Sequence, residues 1–169
     1  MFMKQFLVFA CLLVIPSVYG AFIYRGSSTS GSAEYNYQPG EKRIYRGSST
    51  SGSAIFTYEQ GDTPRIYRGS STSGSAAYCF EYGYNNLIRM YRGSSTSGSA
   101  CYTFEQGYNP RIYRGSSTSG SAAYTLEYQG SLLRIYRGSS TSGSAIAVIE
   151  QWDEIPRTML MFIVILLGE

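Results

Sequence analysis

The stretch Phe56-Thr57-Tyr58-Glu59-Gln60-Gly61-Asp62-Thr63-Pro64-Arg65-Ile66-Tyr67-Arg68 decides how this chain folds. Its first part alternates with period two, Phe56 and Tyr58 on one side and Thr57 on the other, which is a strand signal. Arg-Ile-Tyr-Arg is a second, shorter strand, and the Gly-containing segment between them has turn chemistry. In an antiparallel hairpin Glu59 lies across from Arg65, Tyr58 from Ile66 and Thr57 from Tyr67. The same geometry pairs Glu81 with Arg89, Glu105 with Arg111 and Glu127 with Arg134, each pair contributing roughly 0.2–1 kcal/mol. A parallel solenoid would instead stack Arg43, Arg65, Arg89, Arg111 and Arg134 in one column about 4.8 Å apart, and like charges so placed repel. Charge placement therefore favours an antiparallel hairpin meander. The β-solenoid is the close alternative, because a wide open sheet leaves an aromatic face wet unless it curls, folds onto itself or meets a partner.

The hairpin belongs to a repeat. The ten-residue string Tyr-Arg-Gly-Ser-Ser-Thr-Ser-Gly-Ser-Ala occurs six times without substitution, beginning at Tyr24, Tyr45, Tyr67, Tyr91, Tyr113 and Tyr136. The copies are spaced 21 to 24 residues apart, and self-similarity at such a period overrides ordinary domain counting. All length variation falls in the linker on the far side of each hairpin, never in the ten-mer. A connection that sets strand register cannot change length, whereas a surface loop can, so the ten-mer is frame rather than flexible Ser/Gly tether. The expected fold is all-β, with six tandem two-strand repeats. The first unit, Glu34-Tyr-Asn-Tyr-Gln38, is more polar than the others, and the last, Ile146-Ala-Val-Ile-Glu150, is aliphatic. Atypical end units are what a stacked array requires.

Three segments follow. Residues 1–20 read as a signal peptide: Lys4 precedes an apolar run from Phe6 to Val18, and Val18-Tyr19-Gly20 offers a cleavage site before Ala21. Met3 is an alternative start, and Val8-Phe9-Ala10-Cys11 an alternative lipoprotein box. Residues 21–157 are the repeat array. Residues 158–169 are an apolar tail whose nine consecutive apolar residues, Met159 to Leu167, fall short of the roughly 20 that a membrane span needs. The tail is expected as a buried strand or short helix covering the end of the array, with membrane anchoring the lesser reading. The address is secreted or cell surface.

Composition removes most chemistry. The chain has no histidine, so no serine has the usual general base. Gly-Ser-Ser-Thr-Ser-Gly is neither a nucleophile elbow nor a phosphate-binding Walker loop. Cys79 and Cys101 sit two offsets apart in neighbouring units, about 8 Å in a stacked array, beyond the roughly 7 Å limit for a disulfide. They read as small residues in Thr/Ala positions. No enzyme, metal or cofactor is expected. What remains is a repeated surface, Arg25, Arg46, Arg68, Arg92, Arg114 and Arg137 with Thr29, Thr50, Thr72, Thr96, Thr118 and Thr141, where guanidinium, hydroxyls and backbone N–H groups could meet an anion.

Tyr67 to Thr72, Tyr102-Thr103 and Glu105-Gln106-Gly107 resemble a loose group of bacterial hypothetical proteins. Those carry tandem Tyr-x-Gly-(Ser/Asn)-Ser-Thr units, each followed by a Tyr-Thr strand and an acidic-Gly hairpin. The resemblance spans roughly residues 21–150 and implies no function. The reading from residues is an exported β-repeat protein with a structural or adhesive surface role. One alternative is ice binding by Ser/Thr rows, which needs the flat solenoid. The other is recognition of anionic glycans or phosphate by Arg-Gly-Ser turns. Self-association is the other partner considered. Nucleic acid conflicts with export, and the net charge of +3 does not demand it.

Overall fold

The computed structural model describes residues 20–168, so the signal-peptide reading of residues 1–20 lies almost wholly outside the described residues. Twelve antiparallel strands follow one another around a closed barrel. They are β1 Ala21–Arg25, β2 Tyr35–Gln38, β3 Arg43–Arg46, β4 Phe56–Glu59, β5 Arg65–Arg68 and β6 Tyr78–Tyr82. The circuit continues with β7 Leu87–Arg92, β8 Tyr102–Glu105, β9 Arg111–Arg114, β10 Tyr124–Gln129, β11 Leu132–Arg137 and β12 Ala147–Glu150. A 3-10 turn, Trp152–Glu154, then leads into helix α1, Arg157–Gly168.

The hairpin register is the one charge placement favours. Glu59 faces Arg65, Tyr58 faces Ile66 and Thr57 faces Tyr67. Glu81 faces Arg89, Glu105 faces Arg111 and Glu127 faces Arg134. No solenoid forms. The five arginines stand on alternate strands of one sheet, two strand spacings or about 10 Å apart, and so avoid the column that stacking would impose. The burial problem of a wide sheet is solved by closure: β1 joins β12 through Ile23↔Ile149, Tyr24↔Val148 and Arg25↔Ala147. The two atypical units therefore do not cap an array. The last one, as β12, closes the ring against β1, and the first, as β2, pairs with β1 and β3 within the circuit.

Side chains sort by parity. Ile23, Ile44, Ile66, Met90, Ile112 and Ile135 point inward and are fully buried, with Tyr37, Phe80, Phe104 and Leu126 beside them. The outer wall carries Arg43, Arg65, Arg89, Arg111 and Arg134 and their acidic neighbours, where a lipid-facing barrel carries an apolar band. No helix among the described residues is long and apolar enough to cross a membrane.

Twelve strands about 4.8 Å apart enclose a ring roughly 18 Å or more across, wider than facing side chains can fill. The apolar tail fills it. Helix α1 has 12 residues, a length of about 18 Å, which matches strands of four to six residues. Nearly every helix residue is buried, on all faces, in one core with the inward strand residues. Phe162 meets the Phe56 ring edge-on at 4.8 Å and the Tyr78 ring at 5.5 Å. Thr158, the one buried hydroxyl on the helix, hydrogen-bonds the Tyr58 hydroxyl at 2.8 Å. The tail is thus a helix threaded through the barrel rather than a lid on its end, because the wall alone would leave an empty apolar lumen.

Candidate functional site

All six ten-mers emerge at one mouth of the barrel, following β1, β3, β5, β7, β9 and β11. Most of their letters have a framework task. The first Gly adopts positive φ in every copy, between 75° and 88°, a region that glycine enters without steric cost. The next Ser staples the loop to its neighbour. The N–H groups of Ala33, Ala54, Ala76, Ala100 and Ala122 donate to the hydroxyls of Ser48, Ser70, Ser94, Ser116 and Ser139. Ser27 closes the circle by donating to the Ala145 carbonyl at 3.1 Å. The second and third serines form a local turn in each copy, as in Ser28 and Ser30, where hydroxyls meet at 2.7 Å and the Ser30 N–H donates to Ser28 Oγ. The terminal Ala is buried in all six copies. Thr57, Thr103 and Thr125 pin the loops from the outer wall, donating to the carbonyls of Gly69, Gly115 and Gly138 at 2.7 Å.

A staple is worth about 1 kcal/mol, more where its loss strands a buried N–H. Ser70→Ala and Ser94→Ala together are expected to lower unfolding free energy by about 2 kcal/mol, read from the denaturant midpoint. Ser53→Ala and Ser75→Ala, which no staple uses, are expected to change it little.

The leading Tyr has a task the sequence did not disclose. Tyr67, Tyr91, Tyr113 and Tyr136 donate their hydroxyls to Glu59, Glu81, Glu105 and Glu127. Tyr45 donates to Glu41, and Tyr24 to Glu150. The glutamates set across from arginines are therefore shared. Among the described residues only Arg65–Glu59 and Arg89–Glu81 of the cross-strand pairs come within 4.0 Å, both at 3.8 Å. Burial, followed by the Glu81 hydrogen bond, pushes the Tyr91 phenol up to about 12; burial likewise raises Tyr67 and Tyr136. An unfolded tyrosine ionises near 10, so the stability these phenols contribute is complete below that pH and is lost as pH rises toward about 12. The denaturant midpoint should accordingly fall between pH 10 and about 12, together with the rise of tyrosinate absorbance.

Arg and Thr remain without a common framework role, and these are the residues singled out from sequence. Arg25, Arg46, Arg68, Arg92, Arg114 and Arg137 each end their strand, one residue past an outward Tyr, and so on the inward side of the wall. All six are exposed. They form a crown around the C-terminal end of α1. Arg25 Nη1 donates to the Leu167 carbonyl at 3.2 Å, Arg137 Nη2 to the Gly168 carbonyl at 3.4 Å, and the Arg68 guanidinium lies 5.9 Å from the Phe56 ring centroid. Cations at a helix C-terminus answer its partial negative charge. Glu34 bridges Arg25 at 2.7 Å, and that hydrogen bond holds its carboxyl below the usual range. Arg46, Arg68, Arg92 and Arg114 have no salt bridge among the described residues.

Thr29, Thr96 and Thr118 are half-buried in the loops, and Thr50, Thr72 and Thr141 are exposed. They sit on separate loops around a mouth rather than in a flat row. The barrel therefore brings the arginines together and leaves the threonines dispersed at the perimeter. Cys79 is buried under the outer wall beside Tyr91 and Ala100, and neither it nor Cys101 is in a disulfide. The chain matches no model of a known protein family, no characterised protein and no solved structure.

Proposed function

We propose that the protein is an exported, non-catalytic binding element. It attaches to polyanions, sulfated or phosphorylated glycans above all, through its arginine crown, in a structural or adhesive surface role. One observation carries the reading: among the described residues, six guanidinium groups share a mouth with a single bridging carboxylate, Glu34. Among the described residues the mouth thus holds a surplus of five positive charges, while the whole chain carries only +3. The charge is concentrated, and concentrated charge steers and holds an anion in a way that dispersed charge does not. Arg25 and Arg137 are occupied with the helix carbonyls. Arg46, Arg68, Arg92 and Arg114, on successive hairpins, are the contacts available to a ligand, and Arg presents a planar fork suited to sulfate and phosphate oxygens. Several weak contacts on one rigid ring act together, so a polymer binds where a single sulfate does not. The test is retention of the chain on immobilised heparin as salt is raised. A chain that passes unretained at low salt ends the proposal.

A further inference from the structure

The opposite mouth, where the variable linkers lie, differs in kind. Gly-Tyr-Asn occurs twice in the chain, at Gly83-Tyr84-Asn85 and Gly107-Tyr108-Asn109, both times at a linker tip. Tyr84 and Tyr108 are each 94% exposed, the most exposed large hydrophobic residues of the described chain. The two tips are tied together: the backbone N–H and the side-chain amide of Gln106 both donate to the Asn86 carbonyl, at 3.2 and 3.1 Å. Asn85 and Asn86 hold positive φ, 57° and 59°, the paired left-handed residues of a tight hairpin turn that presents Tyr84.

The row continues past Tyr108. A cleft of about 180 Å³ is lined by Tyr108, Asn109, Glu127 and Tyr128. Tyr128 stacks on Trp152 with ring centroids 4.3 Å apart, and Arg157 Nη1 donates to the Tyr128 hydroxyl at 3.1 Å. The Trp152 indole N–H donates to the Gly130 carbonyl, and the Gln151 N–H to the Ser131 carbonyl, which locks this turn to the β10–β11 hairpin. Aromatic rings therefore line one arc of the rim on segments fastened to one another. The β2–β3 and β4–β5 linkers, Pro39-Gly-Glu-Lys42 and Gln60-Gly-Asp-Thr-Pro64, contribute no ring to it.

We propose that this arc is a second binding site, for a neutral oligosaccharide, with one sugar ring seated in the cleft between Tyr108 and Tyr128 and its neighbours running toward Tyr84. Sugar rings offer apolar C–H faces to aromatic rings and hydroxyls to amides and carboxylates, and the cleft supplies both. The two hydrogen bonds to Glu127, from Tyr136 and Gln129, end on Oε2, which leaves Oε1 to accept a sugar hydroxyl. The site's charge selects a neutral chain. Glu127 at the cleft is matched by Arg134 across the strand pair, and exposed Asp153 and Glu154 follow Trp152, over whose ring Arg157 lies at 5.0 Å, so this rim has no surplus of positive charge to draw a polyanion. The inference is independent of the arginine crown.

Trp152 is the only tryptophan in the chain, so its emission reports on this rim. The full chain is titrated with cellohexaose and chitohexaose, following Trp152 fluorescence and calorimetric heat. A saturable response to either is expected, and the Tyr84→Ala/Tyr108→Ala variant should weaken it about tenfold. Both positions are solvent-exposed, so the variant keeps the wild-type melting temperature, which is checked alongside. Ser53→Ala, at the far mouth, leaves the response unchanged. Absence of saturable binding to both oligosaccharides overturns the proposal. So does binding that survives loss of both tyrosines, or tighter binding of oligothymidylate than of either sugar through the same tyrosines.

Discussion

Replacing Arg46, Arg68, Arg92 and Arg114 together by glutamine is expected to abolish retention on immobilised heparin at physiological salt. The substitution removes the four crown arginines that make neither a salt bridge nor a hydrogen bond to α1 among the described residues, leaving Arg25 and Arg137 engaged with Glu34 and the carbonyls at the end of α1. It changes the chain's charge from +3 to −1, so net charge alone must be controlled for. A variant with Arg43, Arg65, Arg89 and Arg111 replaced by glutamine has the same final charge but alters only the outer wall. If the crown is the site, the outer-wall variant still binds and elutes at somewhat lower salt, whereas the crown variant does not bind. Equal loss in both would reduce the interaction to nonspecific charge. At physiological ionic strength exposed charges more than about 8 Å apart are largely screened, so wild-type retention should also fall steeply as salt rises. The crown substitutions lie at exposed strand ends and are expected to leave thermal stability nearly unchanged, which separates binding from folding.

The second large effect concerns the helix. Phe162→Ala removes a ring packed between Phe56 and Tyr78 at the middle of the lumen, where surrounding strands are closed into a ring and have little freedom to collapse inward. Deletion of a buried aromatic side chain of this kind costs about 3–5 kcal/mol, a large share of the stability of a domain this size. At roughly 2–4 °C per kcal/mol the melting temperature should drop by on the order of 10 °C. Ile163→Asp, which places a carboxylate in the same dry interior, should prevent folding altogether. Thr158→Val removes the 2.8 Å hydrogen bond to the Tyr58 hydroxyl and is expected to cost about 1 kcal/mol, well below the aromatic deletion. A barrel that kept its cooperative transition and midpoint after Phe162→Ala would mean that the helix is not what holds the wall in shape.

Hairpin register was legible in the chain because it is written in local chemistry. Glu59 and Arg65 stand at matched distances from a turn, and the three later hairpins repeat the match. The choice between sheet and solenoid followed from where like charges would have to lie. Closure was not legible, because pairing β1 with β12 joins residues about 125 positions apart, Ile23 with Ile149, and no local pattern encodes a contact of that range. The apolar character of the tail is legible in its nine consecutive apolar residues, but its destination depended on the width of the ring, a property of the whole circuit. Sequence located the arginine and threonine positions, yet not their different fates. Alternation along Arg-Ile-Tyr-Arg carries the missing signal: if Ile faces in and Tyr out, the final Arg faces in. The exposed Tyr84 and Tyr108 were passed over as linker residues, although the repeated Gly-Tyr-Asn was visible.

The helix also acts as a gauge. Identical tandem units invite unequal recombination, through which a gene gains or loses a copy in one step. Each gain or loss would add or remove two strands, altering the circumference by about 10 Å. The central rod would not change with it. One unit fewer would squeeze Phe162 and its neighbours, and one more would leave a void around them; both outcomes destabilise an interior packed at close to crystal density. Loops as uniform as these, fastened each to the next, could build rings of several sizes. The apolar helix fits one, so the gain or loss of a unit is expected to cost stability through a segment that lies outside the repeats.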